Sequence, residues 1–436
     1  MRLFLPLTAL LVLPLHAQVA APVTTTVKVS ALAERESAIY RRGEVVNFVV
    51  KVSDKEQPVA KGSLEWTLLK DGLSLNLQGK AEISEGKAVI SGKLDEPGFL
   101  QLRATYKTDS NEAGVTALAG AGIDPLDIAA SLPVPEDFDA FWTAQKAQLA
   151  KVPAEAQLSP VPAPSPAVET FDLQAKCVGA PVSGYLARPA KAAPKTLPVI
   201  LSVHGAGVRS SGLQSAAGWA AKGFLAMDIN AHGLPNGKPD EFYKAQAEGA
   251  LKDYRSAGRD SRETCYFGGM CLRLVRAIDV LTAQPEWDGK TVVVYGSSQG
   301  GYQAIVAAGL DARVTFFSAG VAAGCDHSGM AVNRIAGWPK LVARSADGTP
   351  DPKGLEAARY FDAMNFATRT KAAGCLLTVG FIDGVCPPSS VYAAYNQLKI
   401  PKHIYNDIPS GHSQSAGASS AMAAAVQKHI EEQKLK

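Results

Sequence analysis

A serine hydroxyl becomes a useful nucleophile only when a base takes its proton and an acceptor holds that base in place. Three residues of this 436-residue chain stand where they could divide that work. Ser298 lies in "TVVVYGSSQGGYQAIVAA", where Gly296-Ser297-Ser298-Gln299-Gly300 gives G-x-S-x-G between a run of strand formers and a segment with helical spacing of apolar residues. Strand, tight turn, helix is the order that strains a serine so that its hydroxyl points into the open. The pattern alone is weak in a chain with 39 glycines, and its placement is what gives it weight. His412, in "IPSGHSQSAG", follows the last candidate strand and is the expected base. Asp383, in "CLLTVGFIDGVCPPSS", follows the strand before that and is the expected acceptor, with Pro387 and Pro388 opening the next helix. Serine, aspartate and histidine thus occur in the chain order this arrangement requires.

A developing oxyanion needs donors. The amide of Gln299, at the start of the helix after Ser298, is one. The second is expected from "LSVHGAGVRSSG", which follows an early strand and offers the backbone N–H of Ala206. His204 in the same segment is read as structural, its ring bonding loop backbone. No C-x-x-C or His/Cys cluster suggests a metal, and no cofactor is implied.

These residues need a frame. From about residue 168 the sequence alternates strands such as "LPVILSVHG", "FLAMDIN", "TVVVYG", "RVTFFSAG", "CLLTVGFID" and "KHIYNDIP" with helical segments such as "LRLVRAIDVLTAQ" and "SSVYAAYNQLK". Apolar strands with helical crossovers predict an α/β domain, a mostly parallel sheet covered on both faces, with its site beyond the carboxyl ends of the strands. Residues 23–122 read instead as short strands between Gly, Asp, Lys and Pro, which predicts a small all-β domain of immunoglobulin-like sandwich type. Trp66 is its only tryptophan, too little for a sugar platform, so a spacer or oligomer contact is weighed equally with carbohydrate binding. Residues 123–167 are expected to be a linker with one helix. Its start is marked by Pro135, Glu136 and Asp137, and Phe138, Phe141, Trp142 and Leu149 share a face. The proline-rich "SPVPAPSPAV" follows as an extended connector or the lead-in to a strand.

A hydrophobic content of 47% with 19% charged residues describes an ordinary globular chain, and a formal charge of +3 without a basic stripe excludes nucleic acid as partner. The opening "MRLFLPLTALLVLPLHAQVAAP" has one cation, an apolar run and small residues, the pattern of a signal peptide ending at Ala17. Two prolines interrupt that run and it falls short of the roughly 20 residues that span a bilayer, so secretion or periplasmic export without a stable membrane anchor is expected. Export makes Cys177, Cys265, Cys271, Cys325, Cys375 and Cys386 eligible for disulfides, with Cys265 and Cys271 the nearest pair in sequence and Cys375 and Cys386 read as buried hydrophobes.

The segments "HGAGVRSSG", "DINAHG", "RAIDVLTAQPEWDGKTVVVYGSSQGG", "MNFATRTKAAGCLLTVGFIDGVCPPSSVYAAYNQL" and the late "GH" resemble the acetyl xylan esterase and cephalosporin C deacetylase family, carbohydrate esterase family 7, over roughly residues 130–436. The resemblance implies an α/β-hydrolase fold and metal-free removal of acetyl groups from sugars and small esters. It implies Ser298, Asp383 and His412 as triad and the amides of Gln299 and Ala206 as oxyanion hole. Ala206 stands where the family usually has tyrosine, Asn230-Ala231-His232-Gly233 replaces its R-G-Q-G turn, and Ser413 follows His412 where glutamate is usual. These departures bear on substrate range more than on chemistry. The β-rich segment is an addition to compact family members; a homo-oligomer is compatible with the sequence, but their hexameric assembly cannot be assumed. The expected protein is an exported serine esterase that deacetylates polysaccharide or oligosaccharide. Its rivals are a hydrolase of other specificity, a peptidase or longer-acyl esterase, and a non-catalytic glycan-binding scaffold.

Overall fold

A computed structural model describes residues 26–108 and 111–435. The expected signal segment, residues 1–17, lies outside them. No described helix is long and apolar enough to cross a membrane.

The N-terminal strands are β1 (Val27–Ala33), β2 (Ile39–Tyr40), β3 (Val46–Asp54), β4 (Gln57–Pro58), β5 (Lys61–Lys70), β6 (Leu73–Ser84), β7 (Lys87–Gly92), β8 (Gly98–Thr108) and β9 (Asn111–Ile123). Their order is β1-β3-β7-β6-β5-β8-β9-β2, with β4 beside β3. Only Ser84 and Lys87 pair between β6 and β7, so the ribbon bends there and β1 comes to rest against β9. Alternation explains the packing: Val46, Phe48, Val50 and Val52 of β3 point inward, meeting Leu64, Leu68, Leu100 and Leu102.

Helix α1 (Phe138–Ala150) buries Phe138, Trp142 and Leu149 as its spacing predicts, leaves Phe141 half-buried, and donates from Trp142 Nε1 to the Tyr360 carbonyl at 3.1 Å. The second sheet contains β10 (Gln157–Pro160), β11 (Val168–Ala175), β12 (Val182–Pro189), β13 (Leu197–Val203), β14 (Leu225–Ile229), β15 (Trp287–Ser297), β16 (Phe316–Gly320), β17 (Gly374–Gly380) and β18 (Lys402–Asp407). It therefore reaches back into residues 123–167, expected to be linker. Pro160 is accommodated because β10 is the edge strand.

The order β10-β11-β12-β14-β13-β15-β16-β17-β18 is antiparallel at its first edge and parallel from β14 onward. The remaining helices are α2 (Leu213–Ala220), α3 (Asp240–Glu248), α4 (Tyr266–Thr282), α5 (Gln299–Leu310), α6 (Pro352–Ala358), α7 (Ala363–Ala367), α8 (Pro388–Gln397) and α9 (Ala416–Lys434). Val199 and Leu201 of β13 face the cluster that holds α4 and α5, whereas Ile200 faces Val426 and Ile430 of α9. Both faces of this α/β sheet are thus covered, which explains its unbroken apolar strands.

All six cysteines are buried and free, as read for Cys375 and Cys386, and the Cys265–Cys271 pairing that sequence proximity left open is not made. Cys265 caps α4 and Cys271 lies inside it, so about 9 Å of helical rise separates them, too far for a disulfide.

Candidate active site

β15 ends at Ser297 and α5 begins at Gln299, which leaves Ser298 alone on the corner with φ 59° and ψ −121°. That conformation is strained for a side chain with a Cβ, and it is held by Ser298 N–H donating to the Gly320 carbonyl at 2.8 Å while its own carbonyl accepts from Tyr302 and Ala323. The motif glycines are required by the neighbouring strand. A Cβ on Gly296 would lie 2.5 Å from the Val203 carbonyl oxygen, and one on Gly300 only 2.2 Å from it.

The structure brings Ser298, His412 and Asp383 together. His412 Nε2 lies 2.9 Å from Ser298 Oγ, and Nδ1 lies 2.8 Å from Asp383 Oδ2. Asp383 is 1% exposed, and its Oδ1 accepts the N–H groups of Val385 and Cys386, each at 2.8 Å. This buried acceptor fixes the tautomer: Nδ1 carries the proton toward Asp383, and Nε2 is free to accept from Ser298. The His412 loop settles on the end of β17, where a Cβ on Gly380 would lie 2.4 Å from the Ser410 carbonyl oxygen. Gln414 Nε2 donates to Ser297 Oγ at 3.1 Å and to Thr378 Oγ1 at 3.0 Å, tying that loop to the elbow.

The loop after β13 flanks the serine. A Cβ on Gly205 would come 3.5 Å from Ser298 Cβ, and Ala206 is the next residue along this loop. Gln299 is the first residue of α5, and its N–H has no acceptor within the helix. His204 bonds the Gly205 carbonyl through Nδ1 at 2.6 Å; burial, then the nearby Arg209, push its ring down to about 4, so it is neutral at pH 7.

Sequence reasoning noted His232 only within its turn and gave the layer beneath no structural role. Tyr254 donates to the buried Gln299 Oε1 at 3.1 Å. His232 stands edge-on to the Tyr254 ring at 4.7 Å and bonds Tyr266 at 2.7 Å, and burial lowers its ring to about 4. Cys386 Sγ lies within 4.8 Å of the facing atoms of Asp383 and His412, the one such cluster of cation-ligand types among the described residues. Burial, with the Asp383 charge behind it, raises the Cys386 thiol and keeps it protonated, while Asp383 and His412 bond each other, so the donor set is poorly suited to a metal.

Residues 128–424 match the acetyl xylan esterase (AXE1) family, beginning after β9. Acetyl esterase Axe7A of Xylanibacter ruminicola is 33% identical over 338 residues, covering 76% of this chain and 75% of that protein. An acetyl xylan esterase from Paenibacillus sp. R4 superposes with a TM-score of 0.59 at 27% identity, over 70% of this chain and 98% of its own. Acetyl xylan esterase 1 from Thermoanaerobacterium sp. JW/SL YS485 shares the fold, with a TM-score of 0.55 at 23% identity over 70% of this chain and 96% of its own. On these matches, the chain belongs to the acetyl xylan esterase family.

Proposed function

We propose that the protein is an exported carbohydrate esterase that removes acetyl groups from polysaccharide or oligosaccharide through an acetyl-enzyme on Ser298. The observation that carries this reading is the continuous chain Ser298 Oγ, His412, Asp383, with links of 2.9 and 2.8 Å, in a member of the acetyl xylan esterase family. Export rests on the N-terminal sequence pattern.

His412 Nε2 takes the Ser298 proton as Oγ attacks the ester carbonyl carbon, and the carbonyl π electrons move onto oxygen. The N–H groups of Gln299 and Ala206 receive that oxyanion, helped by the positive end of α5. The tetrahedral adduct then collapses, His412 gives its proton to the departing sugar oxygen, and Ser298 keeps the acetyl group. Water, deprotonated by His412, attacks that acetyl carbon; acetate leaves and Ser298 recovers its proton. Asp383 holds the ring in one tautomer and balances its charge in both halves.

The purified protein should hydrolyse 4-nitrophenyl acetate in strong preference to the octanoate and release acetate from acetylated xylan, and Ser298→Ala should lose nearly all of both rates. Preference for octanoate would overturn the acetyl assignment. A parental rate in Ser298→Ala would overturn the serine mechanism.

A further inference from the structure

The strand-only segment lies outside the family match, yet it grips the loop that carries Asp383. Three contacts converge on Phe381, two residues before the carboxylate. Gln101 of β8 donates from Nε2 to the Phe381 carbonyl at 2.8 Å, a bond between residues 280 positions apart in sequence. Phe99 of the same strand meets the Phe381 ring edge-to-face at 4.9 Å, and both side chains are fully buried. Gly120, paired with Gln101 across β9, lets the loop approach so closely that a Cβ there would stand 2.5 Å from the Phe381 oxygen.

A second grip comes from the other side. The carbonyl of Asp71, just after β5, accepts the Ile335 N–H at 3.2 Å, and the chain from Ile335 runs to Trp338, whose N–H donates to the Val385 carbonyl at 2.7 Å. Residues 381 and 385 are therefore each tied, one directly and one through the 335–338 segment, to the strand-only domain. Between them Asp383 turns inward to accept the Val385 and Cys386 amides and to face His412. The hydrolase sheet alone supplies few polar holds on this loop: Asp383 N–H to the Gly380 carbonyl and Ile382 N–H to the Ser410 carbonyl, both at 3.3 Å.

We propose that the N-terminal β domain is a built-in brace for the Asp383 loop, with Gln101 as a positioning residue that acts through the Phe381 peptide to hold the carboxylate against His412. This rests on the serine mechanism above. Orientation of the base by its acceptor is sensitive to small displacements, so the side-chain amide of Gln101 should matter to turnover although it touches no reacting atom.

The test uses the full chain with Gln101→Met, which keeps shape and loses the donor, and Gln101→Glu, whose carboxylate cannot donate. Expected for both are a kcat on 4-nitrophenyl acetate about 10-fold below the parent with KM within about twofold. The far-downfield proton resonance of His412 Nδ1–H should be broadened or displaced, and the thermal unfolding midpoint of Gln101→Met should stay near that of the parent. A parental kcat and unmoved resonance in Gln101→Met would overturn the brace. So would a fall in titratable active sites with parental turnover per site, which is what mere loss of folded protein gives. Because the resonance reports Asp383's hold on His412 whatever the enzyme hydrolyses, it separates failure of the brace from failure of the serine mechanism, which Ser298→Ala reads in the same assay.

Discussion

Asp383→Asn changes one oxygen to an NH2 group, and the hydrogen bonds around it dictate how the amide must sit. Oδ1 is already committed to the Val385 and Cys386 N–H groups at 2.8 Å each, so the carboxamide oxygen takes that place and the NH2 group is turned toward His412 Nδ1, 2.8 Å away. An NH2 group can only donate there. Nδ1 must then be the bare nitrogen, the ring proton moves to Nε2, and Nε2 faces Ser298 as a second donor 2.9 Å from Oγ. The base is lost without any loss of shape. In serine hydrolases with this geometry the same exchange lowers kcat by about 10,000-fold, or about 5 kcal/mol of transition-state stabilisation. Asp383→Ala makes an instructive contrast. It strands the buried Cys386 N–H, at about 1–3 kcal/mol, and the part-buried Val385 N–H at less, but imposes no tautomer. Asparagine should therefore melt close to the parent and retain the lower activity, whereas alanine should melt well below it and retain more activity per folded molecule. Steady-state hydrolysis of 4-nitrophenyl acetate, normalised to folded protein by circular dichroism, measures both. An asparagine variant within tenfold of the parent would refute the argument that Asp383 sets the His412 tautomer.

Burial lowers the His327 ring from 6.5 to about 4, so the native state resists a proton that the unfolded chain accepts. Stability contributed by the neutral ring is complete above about pH 6.5 and is lost as pH falls toward 4; at pH 5 the loss is about 2 kcal/mol. Urea unfolding at pH 7 and pH 5 should show His327→Gln losing less stability on acidification than the parent by about that amount, and equal losses would contradict it. Gly300→Ala places a methyl group 2.2 Å from the Val203 carbonyl oxygen, a backbone atom of a central strand that cannot yield. It should cost at least about 3 kcal/mol of stability together with most of the activity, and a stable, active variant would show that the elbow does not need its second motif glycine.

The candidate site was legible because its signals are local. The Ser298 elbow is announced by two glycines that must clear the Val203 backbone, and Asp383 and His412 each follow a strand whose apolar run marks its own end. Chain order alone then suffices to bring together residues as far apart as Ser298 and His412. What escaped notice depends on partners distant in sequence. Gln101 looks like any polar residue on an alternating strand, and only the packing of β8 against the loop after β17 gives it a partner. Tyr254 and Gln414 likewise sit in segments without periodicity, and their bonds to Gln299 and Ser297 follow from loop paths that propensity does not encode. The edge strand β10 runs into the proline-rich stretch that reads as an extended connector or the lead-in to a strand, since proline weighs against strand everywhere except at a sheet's edge. The six cysteines were open to a disulfide reading because sequence proximity of Cys265 and Cys271 hides the rise of the helix between them.

The central claim is that catalysis passes through an acetyl group on Ser298. Mixing the protein with 4-nitrophenyl acetate, quenching in acid during turnover, digesting, and weighing the peptide that carries Ser298 tests it directly. The account predicts one added acetyl group on Ser298 in the parent and an unmodified peptide in Ser298→Ala. Continued turnover with that peptide unmodified, or an acetyl group that forms at turnover rate on another residue, would contradict it.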